Sequence, residues 1–301
     1  MRAIQFSQFG GPDVLGLVEL PDPHPSAGQI RVAVRAAGVN PIDWKVRSGA
    51  LGGDLPKTTG QEAAGVVDEL GDGVTDVAVG DEVFGSVAGG GGAAELALLG
   101  HYSRLPPSLD FAAAAALPVA VETAMRTLDL LGVEAGTTVL INGAAGSVGQ
   151  SAVQFARERG ARVIGTASEA NHELLRSLGA EPTTYGEGLV QRVRALAPDG
   201  VDVALDTVLG GALPALVELT GSPDRVVAIA DYPGAQALGV RFSGGSGSER
   251  AWGALAAVTE QIEAGRFSLP VAQTFPLAQI AEAHRLSETG HVAGKIVLLV
   301  D

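Results

Sequence analysis

Residues 137–168 read TTVLINGAAGSVGQSAVQFARERGARVIGTAS. Val139, Leu140 and Ile141 form a short apolar run suited to a strand covered on both faces. A turn of small residues follows, Asn142-Gly143-Ala144-Ala145-Gly146-Ser147-Val148-Gly149. From Val148 the apolar spacing turns helical, through Ala152 and Phe155. Gly160 stands where a helix C-terminus takes a left-handed residue. Ala161–Gly165 is apolar and β-branched again. The stretch is therefore predicted as strand, turn, helix, strand.

A turn of this kind has a physical use. Small residues let the backbone approach a pyrophosphate, and the helix N-terminus offers it free N–H groups and a partial positive charge. Ala144–Gly149 is a G-x-G-x-x-G fingerprint with its first glycine changed to alanine. A tight turn that needs small residues only for packing would read the same; the strand before it and the helix after it favour a bound dinucleotide. The end of the second strand bears on which one. An acid there holds the ribose 2′-hydroxyl of NAD and repels the 2′-phosphate of NADP. Here the strand ends Gly165-Thr166-Ala167-Ser168. Ser168, followed by Asn171 and His172, can donate to a phosphate, so NADPH is the expected cofactor. Glu169 adjoins the position, and Ser168 would also serve as a helix N-cap.

The 301 residues suit two domains. A hydrophobic content of 46% with 18% charged residues describes a globular chain with large cores. The net charge of −14 argues against nucleic acid and anionic membrane as partners. No apolar run is read as a spanning helix and no signal peptide is read at the start, so a cytoplasmic protein is expected. The chain has no cysteine, which excludes disulfides, thiolate zinc sites and a cysteine nucleophile. The five histidines show no ligand spacing, and no metal is expected.

The first ~118 residues read as a small β domain. Candidate strands are Met1–Phe6, Val14–Leu20, Gln29–Ala36, Ala63–Val67, Glu82–Val87 and Glu95–Leu99, joined by Gly-, Pro- and Asp-rich connections. No long helical pattern is read before Phe111. Gly38–Lys45 is read as a loop after a strand. Asn40 precedes a proline, which biases it towards extended backbone. Its amide suits a carboxamide partner, and an ordinary turn asparagine fits the same residues. Gly89–Gly92 reads as an exposed connector. Phe111–Leu131 is predicted helical with a break at Leu117-Pro118.

Beyond the fingerprint, strands and helices alternate. Strands are predicted at Pro182–Tyr185, Val201–Asp206, Arg225–Ala230 and Val240–Phe242, and helices at Leu189–Leu196 and Ala212–Leu219. Alternation at this spacing implies a parallel sheet with helices on both faces, and ligands beyond its carboxyl ends. A helix at Arg250–Ala264, a helix at Ala278–Leu286 and a strand at Gly294–Val300 close the chain, and this tail is expected to return to the first domain. The predicted boundaries are 1–118, completed by 266–301, and 119–265.

Several stretches together resemble the medium-chain dehydrogenase/reductase superfamily, most closely its zinc-free quinone oxidoreductases and enoyl reductases. They are AAGVNPIDWKVRSG at 36–49, TTGQEAAGVVDELGDGV at 58–74, GDEVFG at 80–85, AAALPVAVETA at 114–124, residues 139–168, and AGKIVLLV at 293–300. The resemblance implies an α/β fold: a GroES-like β-rich catalytic domain plus a Rossmann domain, a doubly wound parallel six-stranded sheet. Zinc-dependent members carry a cysteine at the position of Asn40 and a histidine at that of Gln61, so the resemblance also implies a metal-free site. It places Asn40 and Thr123 at the nicotinamide. Gly143, Ala144, Ala145, Gly146, Ser147 and Val148 fall at the pyrophosphate. Ser168, His172 and Tyr185 fall around the 2′-phosphate and adenosine. Thr207 and Ile229 line the cofactor cleft, Phe242 to Gly244 close over the nicotinamide, and Lys295 reaches the phosphates. Relatives also commonly form homodimers through edge strands, for which Arg225–Ala230 is the candidate here.

Without zinc, nothing strong polarises an alcohol or a simple carbonyl. An activated acceptor fits better, a quinone or an alkene conjugated to a carbonyl. Asn40, Lys45 and backbone N–H groups are candidates to hold the anion that hydride delivery creates. Solvent, Lys45 or Tyr232 would supply the proton, and Asp43 would orient its loop. The expectation is an NADPH-dependent oxidoreductase with a small-molecule substrate. A zinc-free alcohol or carbonyl reductase and a non-catalytic NADPH-binding protein are the alternatives. The loops expected to shape the pocket are Asn40–Pro56, Gly85–Gly92 and Asp231–Ser248.

Overall fold

A computed structural model describes residues 1–245 and 249–301. The chain forms two compact units, Met1–Val119 with Trp252–Asp301, and Ala120–Ala251.

The first unit begins with β1 (Arg2–Phe6), β2 (Gly16–Glu19) and β3 (Ile30–Val39). Then come α1 (Pro41–Arg47), β4 (Lys57–Thr58), β5 (Glu62–Leu70), β6 (Glu82–Val87), β7 (Leu96–Arg104) and α2 (Phe111–Ala115). In β3 the residues Ile30, Val32 and Val34 are buried while those between are partly or fully exposed, the period of a half-buried strand. The segment expected as a loop, Gly38–Lys45, holds the start of the helix α1. Asn40 is its N-cap, Pro41 holds its first position, and Asp43 closes a capping box with Asn40. Asn-Pro-x-Asp is a helix start, which the loop expectation leaves out. The Gly89–Gly92 segment is not an exposed connector either. The N–H groups of Gly91 and Gly92 donate to Gly60 O, that of Ala93 donates to Thr59 O, and Gly92 is buried.

The helix α3 (Pro118–Leu130) leads into the second unit. By length and composition Phe111–Leu130 passes as a membrane span, contrary to the reading of its sequence, but 72% of that apolar window is buried in the protein, as in a core helix. The second unit continues with β8 (Thr138–Asn142), α4 (Ser147–Glu158), β9 (Arg162–Thr166), α5 (His172–Ser177) and β10 (Glu181–Thr183). It ends with α6 (Leu189–Leu196), β11 (Val203–Asp206), α7 (Leu213–Thr220), β12 (Val226–Ala228), α8 (Tyr232–Leu238) and β13 (Arg241–Phe242). The strands make one parallel sheet in the order β10-β9-β8-β11-β12-β13. The order reverses at β8, so the turn after β8 sits at the switch point where doubly wound sheets bind ligands. Leu140, Ile164, Ala204, Val226 and Ala228 bury one face of the sheet against Leu189, Val193, Leu213 and Leu216 of α6 and α7.

Two expectations for this unit change. Arg225–Ala230 is not an edge: β12 lies inside the sheet and β13 is its outer strand. The segment Asp231–Ser248 is not one loop, since it holds α8 and β13; its last residues, 246–248, lie outside the described ones.

The tail is α9 (Ala254–Glu263), β14 (Val271–Pro276), α10 (Ile280–Glu288) and β15 (Lys295–Leu299). All four belong to the first unit, so the return comes at Trp252 and not at residue 266. Trp252 stacks on His101 with ring centres 3.7 Å apart, and Thr259 Oγ1 lies 3.3 Å from Ser103 Oγ. β15 pairs antiparallel with β3, and β14 parallel with β15. The sheet runs β14-β15-β3-β5-β6-β7, and β7 pairs back onto β3. This barrel encloses Ile30, Val32, Val67, Val83, Leu99, Ile296 and Leu298.

Candidate active site

In the second unit the fingerprint turn is built as its sequence implies. Gly143 takes φ +81°, a left-handed backbone that L side chains rarely adopt. A Cβ there would also meet Thr207 Oγ1 at 2.4 Å. Gly149 serves packing, because a Cβ would stand 2.3 Å from Gly143 O and 2.6 Å from Ala144 Cα. Gly146 is different. Its φ of −73° is ordinary, and a Cβ would meet only Gly143 O, at 3.5 Å. Residues 145–148 are partly exposed, and the first N–H groups of α4 have no partner within the helix. The turn is a cradle open on one side, with backbone donors and a helix dipole behind it. It fits a pyrophosphate.

Side chains at the strand ends hold the cradle. Thr166 Oγ1 donates to Asn142 Oδ1 at 2.6 Å and accepts from Gly143 N at 3.0 Å. Asn142 Nδ2 donates to Asp206 Oδ1 at 2.8 Å, and Thr207 Oγ1 donates to Asn142 O at 2.8 Å. Burial pushes the Asp206 carboxyl up to about 6. Sequence reading missed Asp206 because its position resembles any strand-terminal residue.

Of the adenosine candidates, Ser168 Oγ accepts from Asn171 Nδ2 at 3.2 Å, which leaves its own O–H to donate elsewhere. His172 Nε2 lies 3.3 Å from Ala167 O. A carbonyl only accepts, so Nε2 donates there. Tyr185 is 55% exposed. Arg192, unnoticed in the sequence, donates to the carbonyls of Thr184, Tyr185 and Glu187 and so pins the Tyr185 loop. Thr123 is buried and accepts from Arg126 at 3.4 Å. Ile229 N donates to Asp206 O at 3.0 Å, and the Phe242 ring meets Tyr232 edge-on at 5.2 Å.

In the first unit, residues far apart in sequence converge at the end of β3. Lys295 Nζ lies 2.6 Å from Asn40 Oδ1 and 2.5 Å from Glu62 Oε1. Asn40 Nδ2 donates to the same Glu62 oxygen at 2.7 Å, and Val119 N donates to Oε2 at 2.7 Å. The Lys295 and Glu62 side chains are 2% and 0% exposed. Lys295 therefore does not reach phosphates as expected: its ammonium is buried and closed on Glu62 and Asn40. Asp43 accepts from Asn40 N at 2.7 Å, and burial, with the Glu62 charge nearby, pushes its carboxyl up to about 7. Lys45 Nζ lies 5.8 Å from the centre of the Trp44 ring. Among the described residues, no three His, Asp or Glu side chains converge as metal ligands.

Comparison with known proteins agrees with this construction. Residues 26–112 match the model of the alcohol dehydrogenase GroES-like domain, and residues 178–298 match that of the zinc-binding dehydrogenases. The chain is 33% identical to the quinone oxidoreductase of Rattus norvegicus, over 100% of this chain and 98% of that one. It is 32% identical to the chloroplastic NADPH-dependent alkenal/one oxidoreductase of Arabidopsis thaliana, over 99% and 79%. The solved structure of the quinone oxidoreductase from Coxiella burnetii superposes with a TM-score of 0.87 at 32% identity, covering 100% and 99%. The chain is thus an oxidoreductase built for a nicotinamide cofactor, and it belongs to the medium-chain dehydrogenase/reductase superfamily, in its zinc-free quinone oxidoreductase-like subgroup.

Proposed function

We propose that this protein is an NADPH-dependent reductase that delivers hydride, without a metal, to a quinone or to an alkene conjugated to a carbonyl. One observation carries the reading. The polar group at the end of β3 is an amide held by an ammonium and a carboxylate, which offers a hydrogen bond but no Lewis acid. That suits an acceptor already electron-poor.

When bound, the reduced nicotinamide supplies the hydride. The chain does the rest. The turn at Gly143–Val148 and the N-terminus of α4 hold the pyrophosphate. Ser168, at the ribose position with no acid in its place, donates to the 2′-phosphate beside Tyr185; the Arabidopsis relative is NADPH-dependent by name. Hydride delivered to the electron-poor carbon would move the displaced electron pair to the acceptor oxygen. Asn40 donates a hydrogen bond in the nicotinamide region, and solvent supplies the proton, to that oxygen for a quinone and to the carbon beside the carbonyl for an enone. We further propose a cytoplasmic homodimer that pairs through β13, the outer strand of the parallel sheet.

The test is loss of the reduced-nicotinamide absorbance with NADPH and with NADH, against quinones and enones, with and without chelator. Chelator-insensitive oxidation of NADPH in preference to NADH is expected. Equal use of NADH would remove the role of Ser168. Tight NADPH binding with no turnover on any acceptor would sink the enzymatic reading.

A further inference from the structure

The orientation of a buried asparagine amide usually has to be argued from its neighbours, since its oxygen and nitrogen have nearly the same shape. At Asn40 two opposite charges settle it. Oδ1 faces the Lys295 ammonium at 2.6 Å, and Nδ2 faces the Glu62 carboxylate at 2.7 Å. Turned over, the amide would set its hydrogens against the ammonium and its oxygen against the carboxylate. Both contacts would become repulsive, in a buried place where charge is weakly screened. The backbone is fixed as well. Asn40 N donates to Asp43, and the antiparallel register that pairs Ile296 with Val39 brings Lys295 beside residue 40. Gly294, at φ +110°, allows Lys295 N to bond Pro270 O, because a Cβ there would stand 2.5 Å from that oxygen.

One Nδ2 hydrogen is taken by Glu62, so the direction of the other follows from the same lock. We propose that Lys295 is a positioning residue of the reductase: it holds the Asn40 amide in one orientation and thereby aims the remaining N–H donor at the reacting groups. Lys295 touches neither cofactor nor acceptor. Its role rests on the proposed place of Asn40 at the nicotinamide, and the experiment tells failure of the one from failure of the other.

The experiment compares Asn40→Ala, Lys295→Met and the double variant Lys295→Met/Glu62→Gln. Lys295→Met alone strands a buried carboxylate and risks the fold. The double variant removes both charges together, which neutral replacement tolerates far better. The double variant is expected to bind NADPH as the wild type does, by fluorescence titration. Its kcat is expected to fall about 100-fold, as misplaced groups cost, with the acceptor KM little changed. Asn40→Ala should fall at least as far. In Lys295→Ala, ethylammonium should restore kcat saturably, and sodium at the same concentration should not. Wild-type kcat in the double variant, with Asn40→Ala impaired, would overturn the role of Lys295. Wild-type kcat in Asn40→Ala would overturn the placement of Asn40, and the inference about Lys295 with it.

Discussion

The glycine turn of the second unit and the charged cluster of the first solve opposite problems. At residues 145–148 the backbone is left partly exposed, with the N-terminus of α4 behind it. At Asn40–Glu62–Lys295 the polar atoms are closed on one another and buried. The open site awaits an anion to complete it. The closed site has its counter-charge built in, so its parts act by being held still. Disturbing the first should therefore act mainly on binding, and disturbing the second on stability and turnover.

The largest effect should come from Lys295→Met. Removing one partner of a buried ion pair costs on the order of 3–5 kcal/mol, read as a lower urea midpoint. A loss under about 1 kcal/mol, the worth of an exposed pair, would mean that the cluster is wet.

Next comes pH. Asp43 is raised from 3.8 to about 7 by burial, so the folded state keeps a proton that the unfolded chain gives up earlier. Its contribution is fully present below pH 3.8 and is lost as pH rises to about 7, by roughly 4 kcal/mol. His284 works in the opposite sense. Burial lowers it from 6.5 to about 4, so its contribution is present above 6.5 and lost as pH falls to about 4. The two slopes oppose each other, so the difference between Asp43→Asn and wild type is the useful reading. The variant should gain on the wild type by about 4 kcal/mol between pH 4 and 7. A flat difference would show that the Asp43 carboxyl is not desolvated.

Two glycines then separate packing from binding within one turn. Gly149→Ala forces a Cβ against backbone atoms and should cost about 1–3 kcal/mol, seen as a lower Tm without cofactor. Gly146→Ala has room for its Cβ within the fold but fills the open cradle. Its Tm should match the wild type while NADPH binds about 10-fold more weakly, near 1.4 kcal/mol. If both variants behaved alike, the turn would be a packing device and nothing more.

The two regions also differ in how far they could be read in advance. The turn is contiguous, and its neighbours announce a strand and a helix, so position, type and use were legible together. The cluster joins residues 40, 62 and 295. Asn40 is singled out for its amide, but nothing near it in sequence names the charges that hold it. Glu62 is not singled out as a site residue in the sequence, and Lys295 is placed at the phosphates only by the family resemblance. What each residue lacks in the sequence is its partner, which lies on another element of the fold. The helix at residues 254–263 was foreseen, yet its place with the first unit depends on contacts to His101 and Ser103.

What the sequence determined by itself is whatever depends on near neighbours along the chain. That includes the alternation of strand and helix, the fingerprint turn, and a residue inventory without thiol ligands. Tertiary structure alone decided which charges meet. The register of β15 against β3 carries Lys295 to Asn40, and β5 brings Glu62 between them. Periodicity and turn chemistry act over a few residues. An ion pair acts over a few ångströms, and only the folded chain turns 255 positions of separation into 2.6 Å.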